Sequence, residues 1–283
     1  MPELPEVETV VRTLRSSIQH SHILDVKKHH AGPTFINKSL PLKNLLDQTI
    51  YDVQRRGKLI IITLVKSETE PLEKLFLMVH LGMTGALLVK ENDSQANTHS
   101  KFSLDLETTN KEQFKLFFDD IRGFGKVYIS LEKNLDLWPF WKKLGPEPLS
   151  LNILDFKKLL AKKPHKNIKA FLLDQEMVAG LGNIYADESL FAAKISPLRK
   201  VETLKPEEEE NLLKAIQEIL RKSIEQCGTS FRNYRDAHGK AGAFQNYLAV
   251  YGKANTPCPN CGQKLEKITI AGRGTVICSR CQK

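Results

Sequence analysis

Residues 136–150, DLWPFWKKLGPEPLS, separate two parts of the chain that differ in character. This stretch contains three prolines and a glycine. Proline lacks the backbone N–H that helices and central strands require, so neither element is expected to run through it. We therefore predict a linker over residues 133–150, with a separate domain on each side.

Short strand-like segments dominate the chain before the linker. They are rich in apolar and β-branched residues and alternate with polar loops or turns, which is typical of an antiparallel β-sandwich. These segments cover residues 59–65, 75–80, 85–89, 101–106, 114–118 and 126–131. Apolar residues also recur at helical spacing over residues 5–18. We predict a leading helix there, within an N-terminal β-sandwich domain over residues 1–132.

The chain after the linker has helical periodicity. The clearest helix covers residues 206–226, where Pro206 takes the first position, glutamates fill the first turn and Gly228 follows the end. We predict a helical domain over residues 151–245 and a cysteine-rich segment over residues 246–283. The whole chain is expected to be a multidomain α+β protein.

The charge balance favours a polyanionic partner. The chain has 42 Lys and Arg against 33 Asp and Glu, a formal net charge of +9, and nucleic acid is the first candidate for so basic a protein. The N-terminus is acidic, unlike a secretory leader, and no apolar run approaches the roughly 18 residues of a membrane span. We expect a cytoplasmic, nucleoid-associated monomer that does not bind membranes.

Four of the five cysteines form two pairs near the C-terminus. Sixteen residues separate Cys258-Pro-Asn-Cys261 from Cys278-Ser-Arg-Cys281, a spacing that predicts a zinc-finger hairpin closed by one tetrahedral zinc ion. Disulfides are the alternative and are less typical of an intracellular chain. Because protein thiolates would fill all four positions, the zinc is expected to be structural.

Two glycine-rich turns in the C-terminal half are compatible with phosphate binding. Arg273 lies between Gly272 and Gly274, which suits a phosphate contact, although a solvated surface arginine has the same pattern. Gly180 and Gly182 join two helical segments, where exposed amides at a helix start could bind a phosphate or serve a tight connection. Each turn is a candidate contact to a DNA backbone.

The first eight residues, MPELPEVE, contain two prolines and three glutamates. Pro5, Glu6 and Glu8 fit an ordinary helix start, since acids favour the positive end of a helix. Pro2 allows a second interpretation, because a small residue at position 2 favours removal of Met1. The resulting terminal amine, with a pKa of about 8, would be partly neutral at pH 7 and could act as a nucleophile.

Two further turns place long side chains between glycines. They are HLGMTG, which carries Met83, and DIRGFG, which carries Arg122 and Phe124. Exposed Met and Phe beside an Arg would suit insertion into a base stack. Core packing is the ordinary role of Met and Phe, and the sequence leaves both possibilities open.

Together these motifs resemble those of the formamidopyrimidine-DNA glycosylases, bacterial-type repair enzymes for oxidised purines. The resemblance covers nearly the whole chain. It rests on MPELPEVET at residues 1–9, QRRGK at 54–58, HLGMTG at 80–85, DIRGFG at 120–125, LGPEPL at 144–149, GLGNIYADESLF at 180–191 and the four-cysteine hairpin. It implies an N-terminal β-sandwich and a C-terminal helical domain with a helix-two-turn-helix and a zinc finger.

The resemblance also implies a mechanism. Pro2 would displace the damaged base at the sugar C1′, and the resulting Schiff base would drive β- and δ-elimination, which cuts the strand on both sides of the lesion. Glu3 would protonate the sugar ring oxygen, Glu6 would orient the terminal segment, and Lys58 would contact the phosphate beside the lesion. The implied enzyme is a bifunctional glycosylase and lyase.

A set of DNA contacts follows from the same resemblance. Asn183 and Arg273 would bind backbone phosphates. Met83, Arg122 and Phe124 would fill the space left by an extruded nucleotide, with Arg122 facing the orphaned base. The expected partner is double-stranded DNA with oxidised bases or abasic sites.

Other positions complete the resemblance or depart from it. Lys169 matches a family lysine near the lesion. His99 is expected to contact DNA from a loop that lacks the second histidine of some relatives. Residues 229–244 resemble the mobile loop that closes over the flipped base, whereas the longer polar segment at residues 67–71 departs from the family pattern.

Two alternative functions stay open at this level. Endonuclease VIII, the sister glycosylase for oxidised pyrimidines, shares the terminal proline chemistry, although Leu4 and the residues at the two glycine turns favour the purine enzyme. A non-catalytic zinc protein could instead bind damaged DNA without cutting it. Pro2 argues against that possibility, because binding alone needs no free amine.

Overall fold

The computed structural model describes residues 1–30, 34–36, 39–67, 73–230 and 234–283. Most of the polar segment at residues 67–71 and residues 231–233 of the expected mobile loop lie outside these ranges. The chain forms two compact units, the first with Met1–Lys142 and Cys227–Ala243, the second with Lys143–Gln226 and Phe244–Lys283. The segment Cys227–Ala243 thus packs with the first unit, although the sequence placed it in the helical domain. The predicted linker and zinc-finger boundaries stay predictions.

Helix α1 (Leu4–Ile18) forms where it was predicted, with Pro5 in its first turn. Its apolar side chains lie on one face and are buried in the core of the first unit: Val7, Val10, Val11, Leu14 and Ile18. Burial of one face is what stabilises a helix of this length. Because the helix is fixed in the core, the residues that precede it are fixed as well.

Within the described ranges, eight antiparallel strands make up the sheet of the first unit. They are β1 (His22–Lys28), β2 (Thr49–Arg56), β3 (Leu59–Val65), β4 (Leu75–His80), β5 (Gly85–Glu91), β6 (Ser100–Glu107), β7 (Gln113–Asp120) and β8 (Lys126–Leu131). Their order is β5-β7-β6-β1-β2-β3-β4-β8. A single residue pair, His22 with Thr49, joins β1 to β2, so the sheet consists of two halves.

Both halves of the sheet bury side chains in one hydrophobic core. Leu87, Leu104 and Phe118 come from one half, and Ile62 and Val79 come from the other. This arrangement confirms the predicted β-sandwich with a leading helix. Strands β3 to β8 agree with the predicted segments to within two residues at each end, whereas β1 and β2 were not predicted.

Short helices and one long helix make up most of the second unit. They are α3 (Ile153–Ala161), α4 (Ile168–Leu173), α5 (Asn183–Ala192) and α6 (Pro206–Glu225), while a short α2 (Pro139–Lys143) lies in the predicted linker. A hairpin of β9 (Glu266–Ile270) and β10 (Arg273–Ile277) follows near the C-terminus. Among the residues that the structure describes, no helix combines the length and apolarity that a membrane crossing requires.

Candidate functional site

The residues before α1 are held in a defined conformation. Pro2 is buried, and Glu3 is only 3% exposed at the N-cap position of the helix. The backbone N–H of Glu3 donates a hydrogen bond of 2.8 Å to Oε2 of Glu6. This bond fixes the terminal segment to the first turn of α1, as a capping interaction does.

The terminal amine lies among four charged side chains. In this structure it belongs to Met1, and its pKa is lowered from the ordinary value by burial first, with a smaller contribution from the positive charges of Lys58 and Arg122. Glu3 and Glu6 act in the opposite direction. A lowered pKa increases the neutral, nucleophilic fraction of an amine near pH 7. Removal of Met1 would transfer the amine to the adjacent Pro2.

Lys58 is buried directly before β3, in a turn that it shares with Gly57. Arg55 connects this turn to α1, because its Nε donates to Glu8 Oε2 at 2.9 Å and its Nη1 donates to the Gly57 carbonyl at 3.2 Å. Burial would raise the pKa of Glu8, but hydrogen bonds from Arg55 and Arg12 outweigh it and lower that pKa. The ion pair therefore fixes the lysine turn relative to the N-terminal helix.

His80 is a further residue of this site that the sequence did not single out as functional. It pairs with Leu59 across β3 and β4, next to Lys58. Burial first, and then the charge of Lys58, lowers its pKa to about 4. Its Nδ1 accepts the Gly82 N–H at 3.1 Å, which leaves the proton of the neutral ring on Nε2. Its position before the glycine turn of HLGMTG is the signal that could have identified it.

The Glu6 carboxylate also contacts the segment Cys227–Ala243. Its Oε1 accepts the Thr229 N–H at 2.7 Å, and Glu6 is 1% exposed. A side chain at Gly228 would come within 2.9 Å of the same oxygen, so the close approach requires a glycine. One carboxylate thus binds both the terminal segment and a residue from the other end of the chain.

Contacts with α1 continue along this segment. The Tyr234 hydroxyl donates to the Glu6 carbonyl at 3.2 Å, and the Ala237 N–H donates to Thr13 Oγ1 at 3.3 Å. Burial first, and then the charge of Glu6, raises the pKa of Tyr234. The described residues of the expected mobile loop are therefore packed along one face of α1.

The side chains at the two glycine turns of the first unit are exposed. Met83 is 41% exposed and Phe124 is 52% exposed, so core packing does not explain them. The Arg122 guanidinium lies over the Phe124 ring, 4.9 Å from its centroid. A cation stacked on an exposed aromatic ring forms a surface that can contact bases.

His99 is exposed on the loop that precedes β6. Its backbone N–H donates to Asn97 Oδ1 at 2.7 Å, and its carbonyl accepts the Asp120 N–H at 3.0 Å. The loop is therefore attached to the start of the DIRGFG turn. The imidazole itself is available to a partner on the surface of the first unit.

The predicted phosphate ligands of the second unit meet at the hairpin. Asn183 lies at the start of α5, and its Nδ2 donates to the Gly274 carbonyl at 2.9 Å. Arg273, the first residue of β10, is exposed. The Asn183 side chain thus contacts the backbone of Gly274, the residue that directly follows Arg273.

Lys169 is fully buried, unlike a residue that contacts DNA from the surface. Its Nζ lies 2.7 Å from Asp187 Oδ1 and 2.6 Å from Thr275 Oγ1. Asp187 also accepts the Val276 N–H at 3.2 Å. Burial raises the pKa of Asp187 to about 6, although the charge of Lys169 opposes that shift. Lys169 is thus part of a buried ion pair that binds strand β10, and its expected position near the lesion stays a prediction.

The four paired cysteines form a site that fits a zinc ion. Their sulfur atoms all lie within 4.8 Å of one another, with Sγ separations of 3.9 Å for Cys258 and Cys281 and 3.5 Å for Cys261 and Cys278. Tetrahedral Zn–S bonds of about 2.3 Å require separations of this size. No pair is within disulfide bonding distance. These thiolates hold one structural zinc, as predicted.

Family models match three parts of the chain. The formamidopyrimidine-DNA glycosylase N-terminal domain matches residues 1–127, the H2TH domain of the same glycosylase matches residues 144–234, and a zinc finger found in FPG and IleRS matches residues 256–283. The matched parts together include every candidate site residue of the sequence analysis.

Individual relatives agree with the family models. A formamidopyrimidine-DNA glycosylase of Nitratidesulfovibrio vulgaris is 49% identical over 73% of this chain, which corresponds to 55% of that protein. A protein of the same name from Carboxydothermus hydrogenoformans is 41% identical over the full length of both chains. The crystal structure of a Lactococcus lactis FPG mutant with Fapy-dG containing DNA has a TM-score of 0.86 and 35% identity over the full length of both chains.

Proposed function

The chain belongs to the formamidopyrimidine-DNA glycosylase family, and from this membership we propose that Pro2, exposed as the terminal residue by removal of Met1, is its nucleophile. The chain is a base-excision repair glycosylase for oxidised purines, and the family combines glycosylase with lyase activity. The Schiff base mechanism is general to that family. What is proposed here is the assignment of its steps to residues of this chain.

The first step is displacement of the base. The lone pair of the Pro2 nitrogen forms a bond to C1′ while the bond from C1′ to the purine nitrogen breaks and the purine leaves with a proton. A proton from Glu3 to the ring oxygen then allows the bond from C1′ to that oxygen to break. The product is an iminium that joins Pro2 to the opened sugar.

Strand cleavage follows from the iminium. The iminium acidifies the C2′ proton, so β-elimination expels the 3′ phosphate, and a second elimination expels the 5′ phosphate. Glu3 is buried next to the terminal residue and is the carboxyl group best placed to exchange protons during these steps. Glu6 holds the terminal segment through the Glu3 N–H.

The electrostatics of the terminal amine carry this proposal. Burial, with smaller contributions from Lys58 and Arg122, lowers the pKa of the Met1 amine against the opposing charges of Glu3 and Glu6, and the Pro2 amine left after removal of Met1 would lie beside the same four side chains. A cation next to a nucleophile also suits binding of a DNA phosphate, which is the role we assign to Lys58. His80, with its neutral ring and its proton on Nε2, is a candidate second donor to the same phosphate.

The remaining residues are assigned to DNA binding. Met83, Arg122 and Phe124 form the exposed surface that would replace an extruded nucleotide in the base stack. Arg273 and Asn183 would bind backbone phosphates of the same DNA. His99 would add a contact from the neighbouring loop. Lys169 is not assigned a DNA contact here, because its side chain is fully buried.

The substrate is double-stranded DNA with an oxidised purine or an abasic site. A Lactococcus lactis relative was crystallised with Fapy-dG containing DNA, and the net charge of +9 favours a polyanion. We further propose that the protein acts as a monomer at the nucleoid in the cytoplasm, since the chromosome is its substrate.

Comparison of two lesions tests the function. The protein should excise 8-oxoguanine opposite cytosine faster than thymine glycol. The reason is that Met83, Arg122 and Phe124, here called the wedge because they would replace the extruded nucleotide in the base stack, are the residues expected of the purine enzyme. Each duplex should be incubated with the same excess of protein under single-turnover conditions. Faster excision of thymine glycol would assign the chain to the pyrimidine branch, and no excision of either lesion would leave only DNA binding.

A further inference from the structure

The wedge residues are carried by two turns that share one buried carboxylate. Asp120 is fully buried. Its Oδ1 accepts a hydrogen bond of 2.6 Å from the Thr84 hydroxyl, and its Oδ2 accepts the Gly125 N–H at 2.7 Å. Thr84 belongs to the turn that carries Met83, and Gly125 closes the turn that carries Phe124. One carboxylate therefore connects both turns.

Thr84 extends this connection to the arginine. Its Oγ1 accepts the backbone N–H of Arg122 at 3.0 Å while its own proton is donated to Asp120. The hydroxyl thus acts as acceptor and donor at once, which only Ser or Thr could do in this place. Hydrogen bonds to a buried carboxylate are stronger than neutral ones, so the position of the Arg122 backbone is well defined.

A third loop is attached to the same residue through its backbone. The Asp120 N–H donates to the His99 carbonyl at 3.0 Å. The exposed side chains of three loops, including His99, therefore depend on the placement of Asp120. Each of these loops carries a residue that is assigned above to DNA binding.

The two glycine turns, residues 82–85 and 122–125, are also close-packed against each other. A Cβ at Gly82 would lie 2.6 Å from the Phe124 backbone carbon and 2.7 Å from the Gly125 nitrogen. A Cβ at Gly125 would lie 2.6 Å from the Phe118 ring and 3.0 Å from Asp120 Oδ2. The turns are close-packed at their bases, while Met83 and Phe124 are exposed at their tips.

We propose that Asp120 and Thr84 are positioning residues for the wedge, which hold Met83, Arg122 and Phe124 in the arrangement that replaces the extruded nucleotide. Neither residue contacts DNA in this role, since Asp120 is fully buried and the Thr84 hydroxyl is occupied on both sides. The inference rests on the proposed wedge function of the three exposed residues. The inference explains why the backbones of these three residues are fixed before DNA binds. Little conformational entropy of the two turns is then lost on binding.

The test compares Thr84→Val with Thr84→Ser. Valine has nearly the shape of threonine but lacks the hydroxyl, whereas serine retains it. Two substrates are used at single turnover: 8-oxoguanine opposite cytosine in a duplex, which requires a wedge, and an abasic site in single-stranded DNA, which has no stack to fill. The ratio of the two rates measures the contribution of the wedge to duplex excision. A loss of folded protein lowers both rates equally and leaves the ratio unchanged.

Thr84→Val should lower duplex excision by about tenfold, the loss expected for one hydrogen bond to a charged group. Cleavage of the single-stranded abasic site should change by less than about twofold, and Thr84→Ser should stay within about twofold on both substrates. Asp120→Asn, which removes the charge but keeps the shape, should shift the ratio in the same direction. Equal losses on both substrates, or no loss with Thr84→Val, would overturn the inference.

Arg122→Ala and Phe124→Ala separate this inference from the proposed function. If these two variants excise from duplexes at the wild-type rate, the wedge function itself is wrong. If they lose activity and Thr84→Val does not, only the positioning role is wrong. Thr84→Val should lose little more when it is added to the triple variant Met83→Ala/Arg122→Ala/Phe124→Ala, because Thr84 acts through these three side chains; fully additive losses contradict the inference.

Discussion

Glu6 joins the beginning of the chain to a residue more than two hundred positions later. Its carboxylate accepts the Glu3 N–H at 2.8 Å and the Thr229 N–H at 2.7 Å, and it is almost completely buried. A carboxylate suits this position, because its two oxygens accept hydrogen bonds from both buried amides at once. The terminal segment and the segment after α6 are thereby fixed together within the first unit.

Glu6→Gln should destabilise the first unit by about 2 kcal/mol, since the amide replaces one acceptor oxygen with a donor that faces an N–H. The midpoint of urea unfolding gives the measurement. Glu225→Gln, at the exposed end of α6, is the matched control and should unfold like the wild type. Equal midpoints for both variants would show that the two backbone bonds to Glu6 contribute nothing.

Arg273→Ala should weaken DNA binding and reduce its dependence on salt. Loss of one phosphate contact lowers the slope of log K against log salt by about 0.9. Titrations of a fluorescent duplex at several salt concentrations give the slope, and zinc content should stay at one ion per chain. Arg221→Ala, an exposed arginine of α6, is the control and should keep the wild-type slope. An unchanged slope for Arg273→Ala would exclude a phosphate contact.

Lys169→Met should destabilise the second unit by about 3 to 5 kcal/mol, because it leaves the buried Asp187 charge without its partner. The double variant Lys169→Met/Asp187→Asn should recover more than half of that loss, since the remaining groups are neutral. Chemical unfolding of the wild type and of both variants measures the free energies. A double variant that is less stable than Lys169→Met would contradict a paired role for the two side chains.

His80 should make stability fall in mildly acidic solution. Its folded pKa of about 4 lies below the ordinary value of 6.5, so the unfolded chain takes up a proton first as the pH falls. The stabilisation is complete above pH 6.5 and is lost as the pH falls toward 4. From neutral pH to pH 5 this amounts to about 2 kcal/mol. His80→Gln should show a flatter profile in urea unfolding, and parallel profiles would refute the assignment.

Sequence reasoning succeeded where one periodic pattern dominated. All seven residues of β3 are buried and six of them are apolar, and α6 carries a clear apolar stripe with proline at its start. Strands β1 and β2 were not predicted because each has a register shift next to an aspartate, Asp25 in β1 and Asp52 in β2. The side chain of each aspartate accepts the N–H of the following residue. Such bulges break the alternation on which strand prediction depends.

The sequence motifs named candidate site residues, but they did not predict the contacts between those residues. Motifs identified Pro2 and Lys58 without a structure, because their neighbours in sequence carry the signal. The burial of Lys169 could not be predicted, because a helical lysine is normally exposed and its partner Asp187 lies in another helix. The contact between Glu6 and Thr229 could not be read from the sequence at all, since nothing local indicates which distant N–H a carboxylate accepts.

The identity of the residue that becomes bonded to the sugar is the most direct test of the proposed chemistry. The protein with Met1 removed, as verified by intact mass, should be incubated with 8-oxoguanine duplex and borohydride, and the trapped adduct should be digested and sequenced by mass spectrometry. The crosslink is expected on the nitrogen of Pro2, and an uncleaved N-terminal tag should abolish it. A crosslink found only on an internal lysine such as Lys58 would contradict the assignment of Pro2 as nucleophile.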